Sequence, residues 1–330
     1  MSNHYDKTTN KRVAQLTNEY AIANEYASVH GDLVACTDGV GTKILLAQHA
    51  YLTHNRPLNS IGQDVVAMVV NDLICTGADP LFFLDYFASN NIPNEQYFQI
   101  LAGIHQACTE IGIPLIGGET AELPGIIRET TLDIAGFGVG KIYPLAYKLP
   151  HNIQTNDIVL GLKASGFHAN GYTIIRRHTQ SITEEFMNLL LEPTILYSYR
   201  VRQLSKIVTI KGLAHITGGG LNNIRRILTK EQRVLYNEKF LYEDDYPTKG
   251  TLYRWIQERE SLTNEQMRAT FNCGIGMVLI VSPEHALDVN AYDDIVELGV
   301  IDDVNDPGFK QRHSSASDEF DTTVSHTRLA

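Results

Sequence analysis

The sequence predicts a two-domain protein of mixed helix and sheet, α/β (α+β) in class, on three observations. A chain of 330 residues is longer than one hydrophobic core usually organises. Short apolar runs of strand length alternate with segments of helical length through both halves. Near the middle, the polar, proline-containing stretch Lys148-Leu149-Pro150-His151-Asn152 interrupts the alternation. The expected division is an N-terminal domain over 1–148, a C-terminal domain over 149–305 and a tail over 306–330.

The first thirty residues read as weakly amphipathic helix or loop. Leu33 to Cys36 is a short apolar run, a strand that delivers Thr37-Asp38-Gly39-Val40-Gly41-Thr42-Lys43 at its end. Ser60 to Cys75 has helical length, with Ile61, Val65, Val66, Met68, Val69 and Leu73 spread almost all round, so the helix is buried on most faces. Gly77-Ala78-Asp79-Pro80 breaks the chain before a core strand over Leu81 to Phe87. A second helix spans about Asn94 to Ile111, carrying Phe98, Leu101, Ile104 and Ala107 near helical spacing. Pro114-Leu115-Ile116 leads into Gly117-Gly118-Glu119-Thr120, and Thr131 to Val139 is another strand. The second half opens with a strand over Asp157 to Leu162, a turn over Ser165 to Tyr172 and helices around 172–208. The triple glycine Gly218-Gly219-Gly220, a late strand over Gly276 to Val281 and a short helix follow. From about Asp306 the chain is rich in Ser, Thr, Asp, Glu and His with little periodicity, and this tail is predicted to be disordered. No repeat of solenoid period is present.

Acidic residues outnumber basic ones 38 to 27, for a net charge of −11, which argues against a broad nucleic-acid or membrane-surface role. A phosphorylated substrate stays open, because a few local cations, backbone N–H groups and a bound metal can hold phosphates. Met1 to Arg12 lacks an apolar core, so no signal peptide is expected. Asp64, Asp72, Asp79 and Asp85 interrupt the most apolar segment and exclude a bilayer-spanning helix there. Cys36, Cys75, Cys108 and Cys273 are far apart and form no CxxC pair, which fits core packing in a reducing compartment. The expected location is cytoplasmic.

Asp64 and Asp72 sit on the apolar helix, where a carboxylate is costly unless paired or metal-bound. Asp64 and Asn71 share a face, with Asp72 about 80° away, an arrangement that offers oxygens to one hard cation. The alternative is local: Asp64 caps the helix and Asp72 takes a backbone or arginine partner. Asp38 lies in a glycine-flanked turn after a strand, and Glu119 stands in Gly-Gly-Glu-Thr after another. The four acidic residues together suggest a magnesium–phosphate site, with Gly39 and Gly41 letting the backbone approach phosphate and Lys43 adding positive charge. A plain tight turn is the other reading of those glycines. The order Gly-Thr-Lys is not a Walker A loop.

In the second half, Ser165-Gly166-Phe167-His168-Ala169-Asn170-Gly171-Tyr172 links a strand to a helix, a small-residue turn suited to an anion. His215-Ile216-Thr217-Gly218-Gly219-Gly220 is a second such turn. Either histidine can serve as a phosphate donor or general acid/base, or can be structural. Neither GxSxG nor His-Glu-x-x-His occurs.

These segments, together with Gly77-Ala78-Asp79-Pro80-Leu81-Phe82-Phe83-Leu84-Asp85-Tyr86, Gly117-Gly118-Glu119-Thr120-Ala121-Glu122-Leu123-Pro124-Gly125, Asp133-Ile134-Ala135-Gly136-Phe137 and Phe271-Asn272-Cys273-Gly274-Ile275-Gly276-Met277, resemble the AIR synthetase family, phosphoribosylformylglycinamidine cyclo-ligases. The resemblance runs from about residue 32 to 305 in family order. It implies a homodimer of two-domain subunits, with N-terminal strands pairing across the dimer and the active site in a cleft nearby. It implies ATP, Mg²⁺ and formylglycinamidine ribonucleotide as reactants, and aminoimidazole ribonucleotide, ADP and phosphate as products. By position, Asp72, His168 and His215 are the expected catalytic residues. Asp38, Gly39, Gly41, Thr42, Lys43, Gly118, Glu119 and Asn170 are the expected nucleotide-site residues, and Asp38, Asp64, Asp72 and Glu119 the expected metal ligands.

Two stretches depart from the family pattern. Asn18 to Gly31 carries no glycine-rich loop of the Gly-Gly-Phe-Gly type, and Pro193-Thr194-Ile195-Leu196-Tyr197 lacks the arginine of Pro-Thr-Arg-Ile-Tyr. A weakened or inactive nucleotide-binding homologue is therefore the competing reading. Selenophosphate synthetase, thiamine-monophosphate kinase and a hydrogenase-maturation protein share the acidic ATP site, but no cysteine precedes Cys36 here to serve as the reactive thiol of the first.

Overall fold

The computed structural model describes residues 26–91, 94–129, 131–142, 148–237, 250–289 and 292–305. The expected tail over 306–330, and most of the departure over Asn18 to Gly31, lie outside them.

One sheet comes wholly from the first half: β1 (Ser28–His30), β2 (Leu33–Gly39), β3 (Asp79–Ser89), β4 (Leu115–Glu122) and β5 (Leu132–Lys141), in the order β1-β2-β5-β3-β4. Only β3 and β4 are parallel, as a helical crossover requires; the crossover is α3 (Asn94–Ile111), after α1 (Lys43–His54) and α2 (Asn59–Ile74). Burial alternates along β5, with Gly136, Gly138 and Gly140 turned toward the helices. The missing side chains make room for the Phe83 ring over Gly136, and for Val69 and Leu73 of α2 over Gly138.

The second sheet comes wholly from the second half: β6 (Ile158–Lys163), β7 (Gly212–His215), β8 (Gln232–Tyr236), β9 (Ile275–Val281) and β10 (Ile295–Asp303). Its order is β7-β9-β6-β10-β8 and every pairing is antiparallel. The unbroken apolar run of β9 is buried at every residue, as an interior strand demands. Helices α4 (Tyr172–Ile175), α5 (Glu184–Leu190), α6 (Ser198–Leu204), α7 (Gly250–Glu260), α8 (Asn264–Thr270) and α9 (Pro283–Val289) connect the strands. The N-terminus of α8 is closed by a capping box between Thr263 and Gln266.

The cores do not divide with the sheets. Phe167, Tyr172, Met187, Tyr253 and Phe271 join the apolar cluster of the first sheet, while Tyr26, Ile74 and Cys75 join that of the second. Helix α2 lies at the junction, buried from Ile61 to Ile74 except at Gln63. Along it runs an extended strap, Glu192–Tyr197, whose backbone is gripped by first-half side chains. Gln63 donates to the Thr194 carbonyl at 2.9 Å, Asp64 accepts the Thr194 N–H at 2.8 Å, and Asn71 bonds both the Ile195 carbonyl at 2.9 Å and the Tyr197 N–H at 3.0 Å. A strap without secondary structure must satisfy its polar backbone elsewhere, and α2 supplies the partners.

Three boundaries differ from expectation. Asp79 and Pro80 belong to β3, paired with Lys141 and Gly140, and the proline falls where a strand tolerates it, at its start. Gly117 to Thr120 lies inside β4 rather than in a turn after a strand. Helix α1 begins at Lys43, directly after the turn expected to meet phosphate.

Helices α2 and α3 cross closely, because the places that Cβ atoms would take at Gly62 and Gly103 are filled by the backbone of the opposing helix. A helical Gly→Ala change ordinarily stabilises by up to about 1 kcal/mol. Here Gly103→Ala is expected to destabilise by about 2 kcal/mol in urea unfolding through overpacking. Unchanged or increased stability would show that the helices do not approach so closely.

Candidate active site

Asp38 stands at the end of β2 on the helix-covered face of the first sheet, where its carboxylate accepts the Gly39 N–H at 2.7 Å. Burial pushes its carboxyl up, and the Asp72 charge adds to that rise; the Gly39 N–H and the Arg226 guanidinium oppose it. Asp72, near the C-terminal end of α2, holds Nδ1 of His215 at 2.8 Å. His215 ends β7, so the pair ties the first half to the second. The His215 side chain is 0% exposed, while that of Asp72 keeps 11%. The carboxylate, not the imidazole, faces outward.

Two glycine-rich turns of the second half join this pair. The Thr42 hydroxyl lies 3.3 Å from that of Thr173, just beyond the 165–171 turn. That turn has His168 at φ +58° and Gly171 at φ +82°, and Gly219 and Gly220 give the 217–220 turn its own positive φ angles. The two turns are neighbours: a Cβ on Gly218 would touch the Asn170 side-chain oxygen at 3.4 Å. The structure thus gathers Asp38, Gly39, Thr42, Asp72, Asn170 and His215 around one seam.

His168 is fully buried, and its Nε2 accepts the Ser165 N–H at 3.3 Å. Its ring packs against Tyr197 and fills the space a side chain would need at Gly276. Both histidines are therefore enclosed, as the structural alternative for each would have it. Cys36 and Cys75 are buried here too; burial first, then the Asp72 charge, pushes both thiols up, so neither is an ionised nucleophile.

Lys43 and Asp64 differ most from expectation. Lys43 Nζ lies 2.7 Å from one Asp64 oxygen and 3.0 Å from the other, and it donates to the Glu192 carbonyl at 2.8 Å. Asp64 also accepts the Thr194 hydroxyl at 2.6 Å, and both side chains are 0% exposed. Burial pushes the Asp64 carboxyl up and the Lys43 ammonium down, and each charge resists the other's shift. The expected phosphate cation and the expected metal ligand neutralise one another instead.

Glu119 is also apart. It pairs in register with Tyr86 on the exposed face of the sheet, opposite the face that α2 covers. Its neighbour Gly118 lies on the other face, where the Asp85 carboxylate occupies the space of its missing side chain. Asp85 is the buried acid that sequence reasoning passed over; burial pushes its carboxyl up. The sign of it in the sequence was a charged residue inside the apolar strand Leu81 to Phe87. Among the described residues no three His, Cys, Asp or Glu side chains gather closely enough to hold a metal ion by themselves.

If Lys43 and Asp64 form a structural pair, Lys43→Met leaves a buried, unpaired carboxylate and should cost about 3–5 kcal/mol in chemical denaturation. Lys43→Met combined with Asp64→Asn should lose clearly less than the sum of the two single changes. Additive losses would show that the charges do not depend on each other.

Two family models match the chain: the AIR synthase related protein N-terminal domain over residues 22–142 and the C-terminal domain over 154–309. The phosphoribosylformylglycinamidine cyclo-ligase of Burkholderia lata is 41% identical over 264 residues, covering 77% of this chain and 72% of the relative. That of Lawsonia intracellularis is 41% identical over 261 residues, covering 76% and 72%. The trifunctional purine biosynthetic protein adenosine-3 of Gallus gallus is 39% identical over 272 residues, which are 78% of this chain and 26% of that longer protein. Among solved structures, hydrogenase maturation protein HypE in complex with ATP superposes with a TM-score of 0.62 at 17% identity, covering 91% of this chain and 88% of that one. Thiamine monophosphate kinase of Aquifex aeolicus gives 0.60 at 14% identity, covering 90% and 93%. At such identities the structural likeness concerns the fold alone. No helix among the described residues is long and apolar enough to cross a membrane. With two matched domains and relatives near 40% identity over three quarters of its length, the chain belongs to the AIR synthase family of phosphoribosylformylglycinamidine cyclo-ligases.

Proposed function

We propose that this protein closes the imidazole ring of aminoimidazole ribonucleotide from formylglycinamidine ribonucleotide, using ATP. The observation that carries this is the near-40% identity to cyclo-ligases through both domains. The seam between those domains brings the motif acids Asp38 and Asp72 beside two glycine-rich turns. An amide oxygen is a poor leaving group. Transfer of the γ-phosphoryl group of ATP to the formyl oxygen releases ADP and makes that oxygen a phosphate ester of the imidate. The neighbouring amidine nitrogen attacks the activated carbon, the C–O bond breaks, phosphate leaves with its electron pair, and a proton is lost from nitrogen.

Asp38 and Asp72 fit a divalent cation, because their charges repel within one partly buried site and a cation relieves that repulsion. Bound there, Mg²⁺ would neutralise phosphate charge during transfer. Asp64 does not fit as a ligand, since Lys43 already balances it. The turns over 165–171 and 217–220 orient anionic groups through backbone N–H groups and the Asn170 side chain, whose amide nitrogen is buried with no protein partner. His168 shapes the first of these turns from within, and His215 holds Asp72.

We place the protein in the cytoplasm as a homodimer. Its four cysteines are buried and none is in a disulfide, in keeping with a reducing compartment. Among the described residues nothing covers one face of the first sheet, and Leu33, Phe137 and Tyr86 are each more than 40% exposed on it, an apolar surface suited to a second copy. Glu119 shares that face and would stand at the subunit junction.

Purified protein with ATP, magnesium and formylglycinamidine ribonucleotide should release aminoimidazole ribonucleotide, ADP and phosphate in equal amounts. Asp72→Asn should lower kcat/KM by about 100-fold with folding intact. Nucleotide binding without product would favour the inactive homologue, and an Asp72→Asn rate equal to wild type would remove Asp72 from the site. For the dimer, Phe137→Glu should shift the mass seen by light scattering to that of a monomer. A wild-type monomer would contradict the assignment of the open face.

A further inference from the structure

We propose that Asn71 is a positioning residue: anchored by the strap backbone, its amide holds the His215 ring in the Nδ1–H form, and that ring fixes the Asp72 carboxylate at the seam. Asn71 is fully buried, and each arm of its amide is committed. Its oxygen accepts the Tyr197 N–H at 3.0 Å and its nitrogen donates to the Ile195 carbonyl at 2.9 Å. The reversed amide would set oxygen against oxygen at Ile195 and N–H against N–H at Tyr197, so the strap leaves one orientation. The second hydrogen on that nitrogen then faces Nε2 of His215, 3.4 Å away. Nε2 must present a lone pair, because an N–H there would oppose another N–H. The ring proton therefore sits on Nδ1 and is donated to Asp72 Oδ1 at 2.8 Å.

The chain of contacts crosses the domain junction three times, from the strap to Asn71 of α2, across to His215 of β7 and back to Asp72 one residue further along α2. Asn71 and Asp72 are neighbours in sequence and point to different sides of the helix, so their side chains do not meet directly. His215 connects them. A carboxylate whose free oxygen is to serve a cation needs its other oxygen held, and metal sites commonly use such an outer hydrogen bond.

The kinetic part of this inference rests on the proposed cyclo-ligase reaction; the tautomer does not. Long-range ¹H–¹⁵N spectra of the full-length protein labelled in histidine, with His215 identified by its loss in His215→Gln, should show one protonated nitrogen, Nδ1, and one lone-pair nitrogen, Nε2. An Nε2–H ring or an imidazolium overturns the proposal. Asn71→Leu should reduce kcat by about tenfold or more and raise the half-saturating magnesium concentration. The control is Gln63→Leu, which removes a strap anchor at Thr194 without touching His215; it should leave both values near wild type. Equal losses in the two variants mean that Asn71 merely anchors the strap and overturn the proposal. If Asn71→Leu does not fold, the wild-type spectrum decides by itself. A wild-type protein that shows the expected tautomer yet forms no aminoimidazole product supports this inference while overturning the proposed reaction.

Discussion

The structure depends on how one helix satisfies polar groups that it cannot expose. Helix α2 is walled in by the first sheet, α3 and the second-half strap, yet it carries Asp64, Asn71 and Asp72 among its buried residues. Unpaired, each would cost more than an apolar replacement. Each instead has a partner from the second half: Thr194 for Asp64, the strap and His215 for Asn71, and His215 for Asp72. The two halves are therefore joined by specific polar contacts as well as by shared apolar clusters. That makes their relative placement exact enough to bring turns from both sides to one seam. An apolar seam of equal area would tolerate sliding; directional bonds do not.

The same logic separates two kinds of buried acid. Asp64 is balanced on the spot by Lys43, and its Oδ1 takes both Thr194 donors. Asp38 and Asp72 sit close enough for the charge of one to act on the other, and the Asp72 side chain keeps 11% exposure. In the proposed reaction a cation bound there would relieve their repulsion. On the proposed reading, stability and function fall on different carboxylates of the same sequence motifs.

Much of the fold was readable from local pattern. The apolar sequence from Ile61 to Leu73 admits only an enclosed helix, and α2 runs from Asn59 to Ile74. The run Gly276 to Val281 matches β9 almost to the residue. Strand β10 carries glycine and acids between its apolar residues and gave no periodic signal; its place comes from pairing with β6 and β8. Helix α1 went unseen because the glycine turn before it dominates the pattern. For the site, residue type and motif identified Asp38, Asp72, Asn170 and His215, which the fold does assemble. The pairing of Lys43 with Asp64 and the sheet face of Glu119 were not legible. Each depends on which residues distant in sequence become neighbours, and on strand register, neither of which a local pattern contains. Asn71 was visible only as a polar residue sharing a face with Asp64; its partners lie 124 to 144 residues away.

The most direct measurement is a crystal structure of the protein with magnesium and a non-hydrolysable ATP analogue. The triphosphate should lie against the turns at 39–42, 165–171 and 217–220, with its cation on Asp38 and Asp72 and with Lys43 still bound to Asp64. A cation held by Asp64 and Glu119, or Lys43 swung out onto the phosphates, would contradict the division between structural and functional charges.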